Sequence, residues 1–178
     1  MIGPRVHALD RWSAPAAVDA VFHGLSDHSR YLRFHAPMPR LTKTFRDRLT
    51  DLDGVDHAAV VAEVVGEPIG IARLVRTGER RAEAAVEVVD RWHRRGVGRM
   101  LLTEIGALAG CLGYLELHGD VLPENTPMVR LVRGAMPGAH TVHADGVVHF
   151  TFPVGWAFGL PTHEDLLAAI SRPSGFLR

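Results

Sequence analysis

Between residues 91 and 102 the chain reads RWHRRGVGRMLL. Gly96 and Gly98 stand one residue apart, behind His93, Arg94 and Arg95 and ahead of Arg99. Met100, Leu101, Leu102, Ile105 and Leu108 then recur at helical spacing. A strand ending in a Gly-x-Gly turn that opens a helix is suited to an anion. The first helical turn has unpaired N–H groups, the helix dipole adds positive character, and glycine lets a phosphate approach the backbone. No GxxxxGK[ST] occurs, so this is not the triphosphate loop of that pattern. Leu101 stands where a dinucleotide fingerprint has its third glycine, and the preceding strand arrives through hairpins. Without a ligand, the same residues make a tight turn with solvated arginines.

A second constellation precedes the loop, in RAEAAVEVVD. In an extended strand Glu83, Ala85 and Glu87 share one face, with Ala84, Val86 and Val88 on the other. Two carboxylates on one face of a central strand require burial partners or a function; Arg80 and Arg81 are the local candidates for pairing. His140 and His143, with His149 nearby, invite a zinc reading. Their opposite parity in a hairpin and the lack of HExxH argue against a metal.

The elements that hold these groups follow from pattern and punctuation. A short strand at VHAL precedes a helix in SAPAAVDAVFHGL, with Ser13 as its expected cap. A second helical region follows from SDHSRYLRF to LTKTFRDRLTDL, interrupted by APMPR. HAAVVAEVV, IGIARLV and RAEAAVEVVD form an antiparallel meander. After the loop helix come the strand YLELHGDV, a helix in NTPMVRLVR with Asn125 as cap, and a hairpin around Asp145-Gly146. The order is strand, two helices, three strands, helix, strand, helix, two strands. Residues 154–178 follow as an extension with one short helix, starting near Thr162 and Asp165. Its Leu166, Leu167 and Ile170 suit covering the domain or a second copy of the chain in a homodimer.

The 178 residues fit one domain, with 47% hydrophobic and 22% charged residues. Twenty basic and 20 acidic side chains give a formal net charge of zero, so no global field draws nucleic acid or an anionic membrane. The arginine cluster also lacks interleaved aromatics. Cys111 is the only cysteine, the N-terminus lacks a signal-peptide core, and no run is long enough to span a bilayer. A cytoplasmic location is the expectation.

WHRRGVGRMLL resembles the Gln/Arg-x-x-Gly-x-Gly/Ala motif of the GNAT superfamily of acyl-CoA-dependent N-acyltransferases. The element order is similar to that fold over roughly residues 6–153. LSDHSRYLRF, AEAAVEVVDRWHRRGVG and GDVLPENTPMVRLVR look like the acetyltransferase domain of Pat-type bacterial protein lysine acetyltransferases. The resemblance implies an α/β fold with a mixed, mostly antiparallel sheet and helices on both faces, in a stand-alone catalytic domain over residues 1–153. It implies acetyl-CoA as cosubstrate, no metal, and an amine acceptor, foremost a protein lysine. Coenzyme A pyrophosphate would lie on His93, Arg94, Arg95, Gly96, Val97, Gly98 and Arg99. Pantetheine would lie along Val88 and Val89 and reach Asn125. His93 stands where the family has Gln or Arg. Glu83 matches the family's glutamate base, and Val132 replaces the tyrosine acid of many relatives; His118 and Asp120 are other acid candidates. A small amine or aminoglycoside acceptor, or an inactive acyl-CoA-binding regulatory module, are the alternatives.

Overall fold

The structure is a computed structural model that describes residues 3–136 and 138–154. The expected C-terminal helix lies outside the described residues. Among the described residues, seven strands form one sheet: β1 (Arg5–Ala8), β2 (His57–Val64), β3 (Glu67–Gly78), β4 (Arg81–Val88), β5 (Glu116–Val121), β6 (His140–Ala144) and β7 (Val147–Pro153). Their order is β1-β2-β3-β4-β5-β7-β6, antiparallel except for β4 beside β5.

Within the same described residues, five α-helices flank it: α1 (Ala14–His23), α2 (Asp27–Phe34), α3 (Lys43–Thr50), α4 (Val97–Cys111) and α5 (Thr126–Ala135). Alternation along the strands divides the core in two. Ala72, Leu74, Ala82 and Ala84 face Leu101, Leu102 and Ile105 of α4 and Val132 of α5. Ala59, Val61 and Ile71 face Ala17, Val18 and Val21 of α1. Helices therefore cover both faces, as the fold class requires. Among the described residues, no helix is long and apolar enough to cross a membrane.

Two local expectations change. Ser13 does not cap α1 with its side chain; Asp10 accepts the N–H groups of Trp12 and Ser13 and the Ser13 hydroxyl, at 2.7, 3.0 and 2.6 Å. The Ser13 hydroxyl is thus spent on Asp10 ahead of the helix and is not available to the first-turn N–H groups of α1. The proline-interrupted helical region is two separate helices, α2 and α3, each with its own cap in Ser26 or Thr42. The meander, Asn125 as α5 cap and the Asp145-Gly146 turn match the reading of the sequence.

Candidate functional site

β4 and β5 run parallel for only three paired positions: Arg81 with Glu116, Ala82 with Leu117, Glu83 with His118. Beyond Glu83 the two strands part. At the vertex Gly119 lies against β4 so closely that a Cβ there would stand 2.8 Å from the Ala84 carbonyl oxygen and 2.8 Å from the Phe150 ring. The absent side chain lets the strands touch at the point from which they diverge.

The alternation of an antiparallel ladder decides which backbone groups face the gap. Val89 N–H donates to Ile69 carbonyl at 2.9 Å, so residues 89, 87 and 85 direct their N–H and C=O groups toward β3. Val86 and Val88, between them, direct theirs toward β5, where no strand among the described residues pairs with them. This segment offers an extended ligand a strand-like set of donors and acceptors. Val88 is thus in the gap. Val89 is buried, and its carbonyl also accepts from Trp92 N–H at 2.8 Å, so both its backbone groups are committed within the protein. Val86, not singled out in the sequence, shares the orientation of Val88.

At the wide end lies the glycine loop. A single 3₁₀ turn, Asp90–Trp92, leads into Arg94 and Gly96, both left-handed at φ 56° and 83°. Gly96 precedes α4, whose ladder begins with Met100 N–H to Gly96 carbonyl. The N–H groups of Val97, Gly98 and Arg99 therefore have no helical acceptor. Arg94, Arg95 and Arg99 are exposed and form no ion pair among the described residues. Arg95 stacks on Trp92, 5.1 Å from the ring centroid, which leaves its charge uncompensated. Gly98 has a packing role: a Cβ there would stand 2.8 Å from Leu131 Cδ2 on α5. His93 turns back from the loop, and its Nε2–H donates to Val88 carbonyl at 2.7 Å. The residue that departs from the family motif thus ties the loop to the free backbone of β4.

At the vertex Glu83 is exposed and has no hydrogen bond or ion pair among the described residues. Its expected local partner Arg81 pairs instead with Glu116 at 2.5 Å. Glu87, on the same face, differs completely. It is 8% exposed and accepts from Arg73 at 2.6 Å and Arg33 of α2 at 2.5 Å. Burial pushes the Glu87 carboxyl up, but the two guanidiniums outweigh this and hold it below its ordinary value. Arg73 also donates to Leu49 carbonyl at 2.9 Å, tying α3 into the same cluster. The lone charge in the apolar run IGIARLV was the sequence signal for this pairing. α2 carries a second cross-connection, Tyr31 hydroxyl to Glu124 at 3.3 Å. Its Arg33 is thus part of the buried cluster, not solvated.

Asn125 accepts Met128 N–H at 3.2 Å, which commits its side-chain oxygen to the helix cap and leaves its amide NH₂. Val132 is fully buried, so no acid stands at that position. His140 and His143 point to opposite faces, and no group of three or more metal-ligating side chains gathers among the described residues.

Residues 20–134 match the acetyltransferase (GNAT) family model. Acetyltransferase Pat of Mycolicibacterium smegmatis is 29% identical over 125 residues, 66% of this chain and 37% of the relative. This chain thus spans well under half the length of that curated relative. The crystal structure of the GNAT domain of S. lividans PAT superposes with a TM-score of 0.78 at 32% identity, covering 84% of this chain and 90% of that one. The fold is also shared with a GNAT-superfamily phosphinothricin acetyltransferase from Sinorhizobium meliloti in complex with AcCoA, with TM-score 0.69, 15% identity, and 84% and 88% coverage.

Proposed function

Because the chain belongs to the GNAT acetyltransferase family, an architecture that supports acyl-CoA-dependent N-acyl transfer, we propose that it moves the acetyl group of acetyl-CoA onto a protein lysine, with Glu83 as general base. One arrangement carries this reading: the parting of β4 and β5, with unpaired arginines at one end and a free carboxylate at the other. The first-turn amides of α4 and Arg94, Arg95 and Arg99 suit the pyrophosphate. The gap-facing N–H and C=O of Val86 and the N–H of Val88 suit the amides of pantetheine, while the Val88 carbonyl is already held by His93, and the Asn125 NH₂ remains free to join them. The loop therefore fits the group that the family binds.

Acetyl-CoA supplies an activated acyl group; the chain must supply a neutral amine. A lysine ammonium has a reference pKa of ~10.4, so almost none is nucleophilic at neutral pH without a base. Glu83 stands at the vertex, where strand pairing ends and an extended donor lying in the gap must also end. Its carboxylate takes the ammonium proton, directly or through one water. Glu87 is unsuited to that task, since both its oxygens are held by guanidiniums.

The surroundings of Glu83 support the reading of a protein acceptor. Glu83, His118, Asp120, His149 and Thr151 share one face of β4, β5 and β7, and no described helix packs over that part of the sheet. A polar face that none of the described helices covers suits a lysine presented by a folded protein better than a small amine needing enclosure. We assign catalysis to residues 1–153 and leave 154–178 as an appendage to that unit. The test is thiol release from acetyl-CoA with folded lysine-bearing proteins, lysine peptides, polyamines and aminoglycosides. The highest kcat/KM is expected with a protein acceptor. Faster turnover of a small amine would reassign the acceptor. Acetyl-CoA binding without release by any amine would identify a regulatory module.

A further inference from the structure

The row of side chains beside Glu83 includes a group that the proposed mechanism does not yet use. His118 is the register partner of Glu83 across the parallel ladder, so the two side chains leave the same face of adjacent strands. Its ring does not stand upright. His118 Nε2 and Thr77 Oγ1 are hydrogen bonded at 2.7 Å, although Thr77 is on β3 and His118 on β5. β4 lies between them, so the imidazole reaches across β4 at the level of Arg81 and Glu83. The neighbouring charges are otherwise occupied. Arg81 is paired with Glu116 at 2.5 Å, and Asp120 accepts from His149 Nδ1–H at 2.6 Å. Of the carboxylates in this row, Glu83 is the one without a partner among the described residues.

From this geometry we infer that His118, held across β4 by Thr77, is the proton-relay residue for Glu83. The inference rests on the reading of Glu83 as base. The proton count shows why a relay is useful. An ammonium enters with three N–H protons and the amide keeps one. The N–C bond forms, the C–S bond breaks, one proton ends on the released thiol and one must reach solvent. Glu83 is exposed in the free protein, but a donor in the gap and an acceptor on the open face cover it during turnover, so the proton it collects needs a route out before the next cycle. An imidazole can accept a proton at one ring nitrogen and release another from the second. Thr77 fixes the position of the ring, as partner groups fix functional histidines elsewhere. His118 acts through Glu83 and is a positioning and relay group, not a contact of the acyl carbon.

The decisive comparison is His118→Gln against His118→Ala, each with and without added imidazole, measured as thiol release with a saturating acceptor. His118→Gln keeps an amide that can bond Thr77 but cannot shuttle a proton. Both variants are expected to lose about tenfold or more in kcat, with KM for acetyl-CoA changed by less than about twofold. Imidazole should restore His118→Ala and leave His118→Gln slow. Parent-like kcat in His118→Gln, or no response of His118→Ala to imidazole, overturns the relay. If His118→Ala does not fold, the kcat of His118→Gln decides. Glu83→Gln is measured in parallel. Parent-like turnover there refutes the base itself, whereas a slow Glu83→Gln beside a normal His118→Gln refutes only the relay.

Discussion

At the scale of the residue, the glycine loop concentrates charge that the protein does not neutralise. Arg94, Arg95 and Arg99 are exposed beside the open first turn of α4 and pair with no carboxylate among the described residues. Opposite charges in such an exposed place are screened by salt. The KM for acetyl-CoA should therefore rise with ionic strength in the parent. It should rise at least severalfold in the Arg94, Arg95 and Arg99 triple alanine variant, with kcat little changed, as steady-state kinetics at two salt concentrations will show. An unchanged KM in the triple variant would contradict this. The charge of the loop was legible from RWHRRGVGR. The role of His93 was not, because its bond to Val88 carbonyl depends on the 3₁₀ turn that folds the loop back onto β4. Nor was the division between Glu83 and Glu87 visible. Parity placed both on one face, but whether a carboxylate is free or buried depends on Arg33 and Arg73, 54 and 14 residues away.

At the scale of the element, the site is a disagreement between two strands. β4 and β5 pair for three residues and then separate, and Gly119 allows the contact at the vertex. A Cβ at this position would meet a backbone oxygen and an aromatic ring, neither of which can move aside cheaply. Gly119→Ala should cost about 1–3 kcal/mol of stability, as overpacking does. It should also weaken acetyl-CoA binding, because the strands would separate where the donor has to end. Urea unfolding and calorimetry measure both, and an unaffected variant would remove Gly119 from this role. The strands and α4 were readable from period and turn chemistry. The parting of β4 from β5 was not, since a sequence shows which segments extend but not how far two distant ones stay paired. The caps divide in the same way. Asn125 caps α5 through its own side chain, a local signal, whereas the Ser13 hydroxyl is drawn back to Asp10 and does not cap α1.

At the scale of the molecule, the Arg33–Glu87–Arg73 cluster joins α2 and α3 to the sheet next to the site. Removing the one carboxylate leaves two guanidiniums facing each other in the interior. Glu87→Gln should lose about 3 kcal/mol or more of stability in urea unfolding; a loss below about 1 kcal/mol would show that the cluster contributes little. The acid limb carries the same signature. The carboxyl of Glu87 is held below its ordinary value in the fold, so its contribution is complete above the unfolded value and is lost as pH falls through the folded one. Stability of the parent should decline with falling pH in the carboxylate range, and Glu87→Gln should lack that share of the decline. The central claim remains the chemistry at the vertex. Its most direct measurement is thiol release from acetyl-CoA with a lysine-bearing acceptor by the parent and by Glu83→Gln, with acetyl-CoA affinity measured on both. The account predicts a fall of about a hundredfold or more in kcat for Glu83→Gln with affinity essentially unchanged. Equal turnover by the two proteins would contradict it.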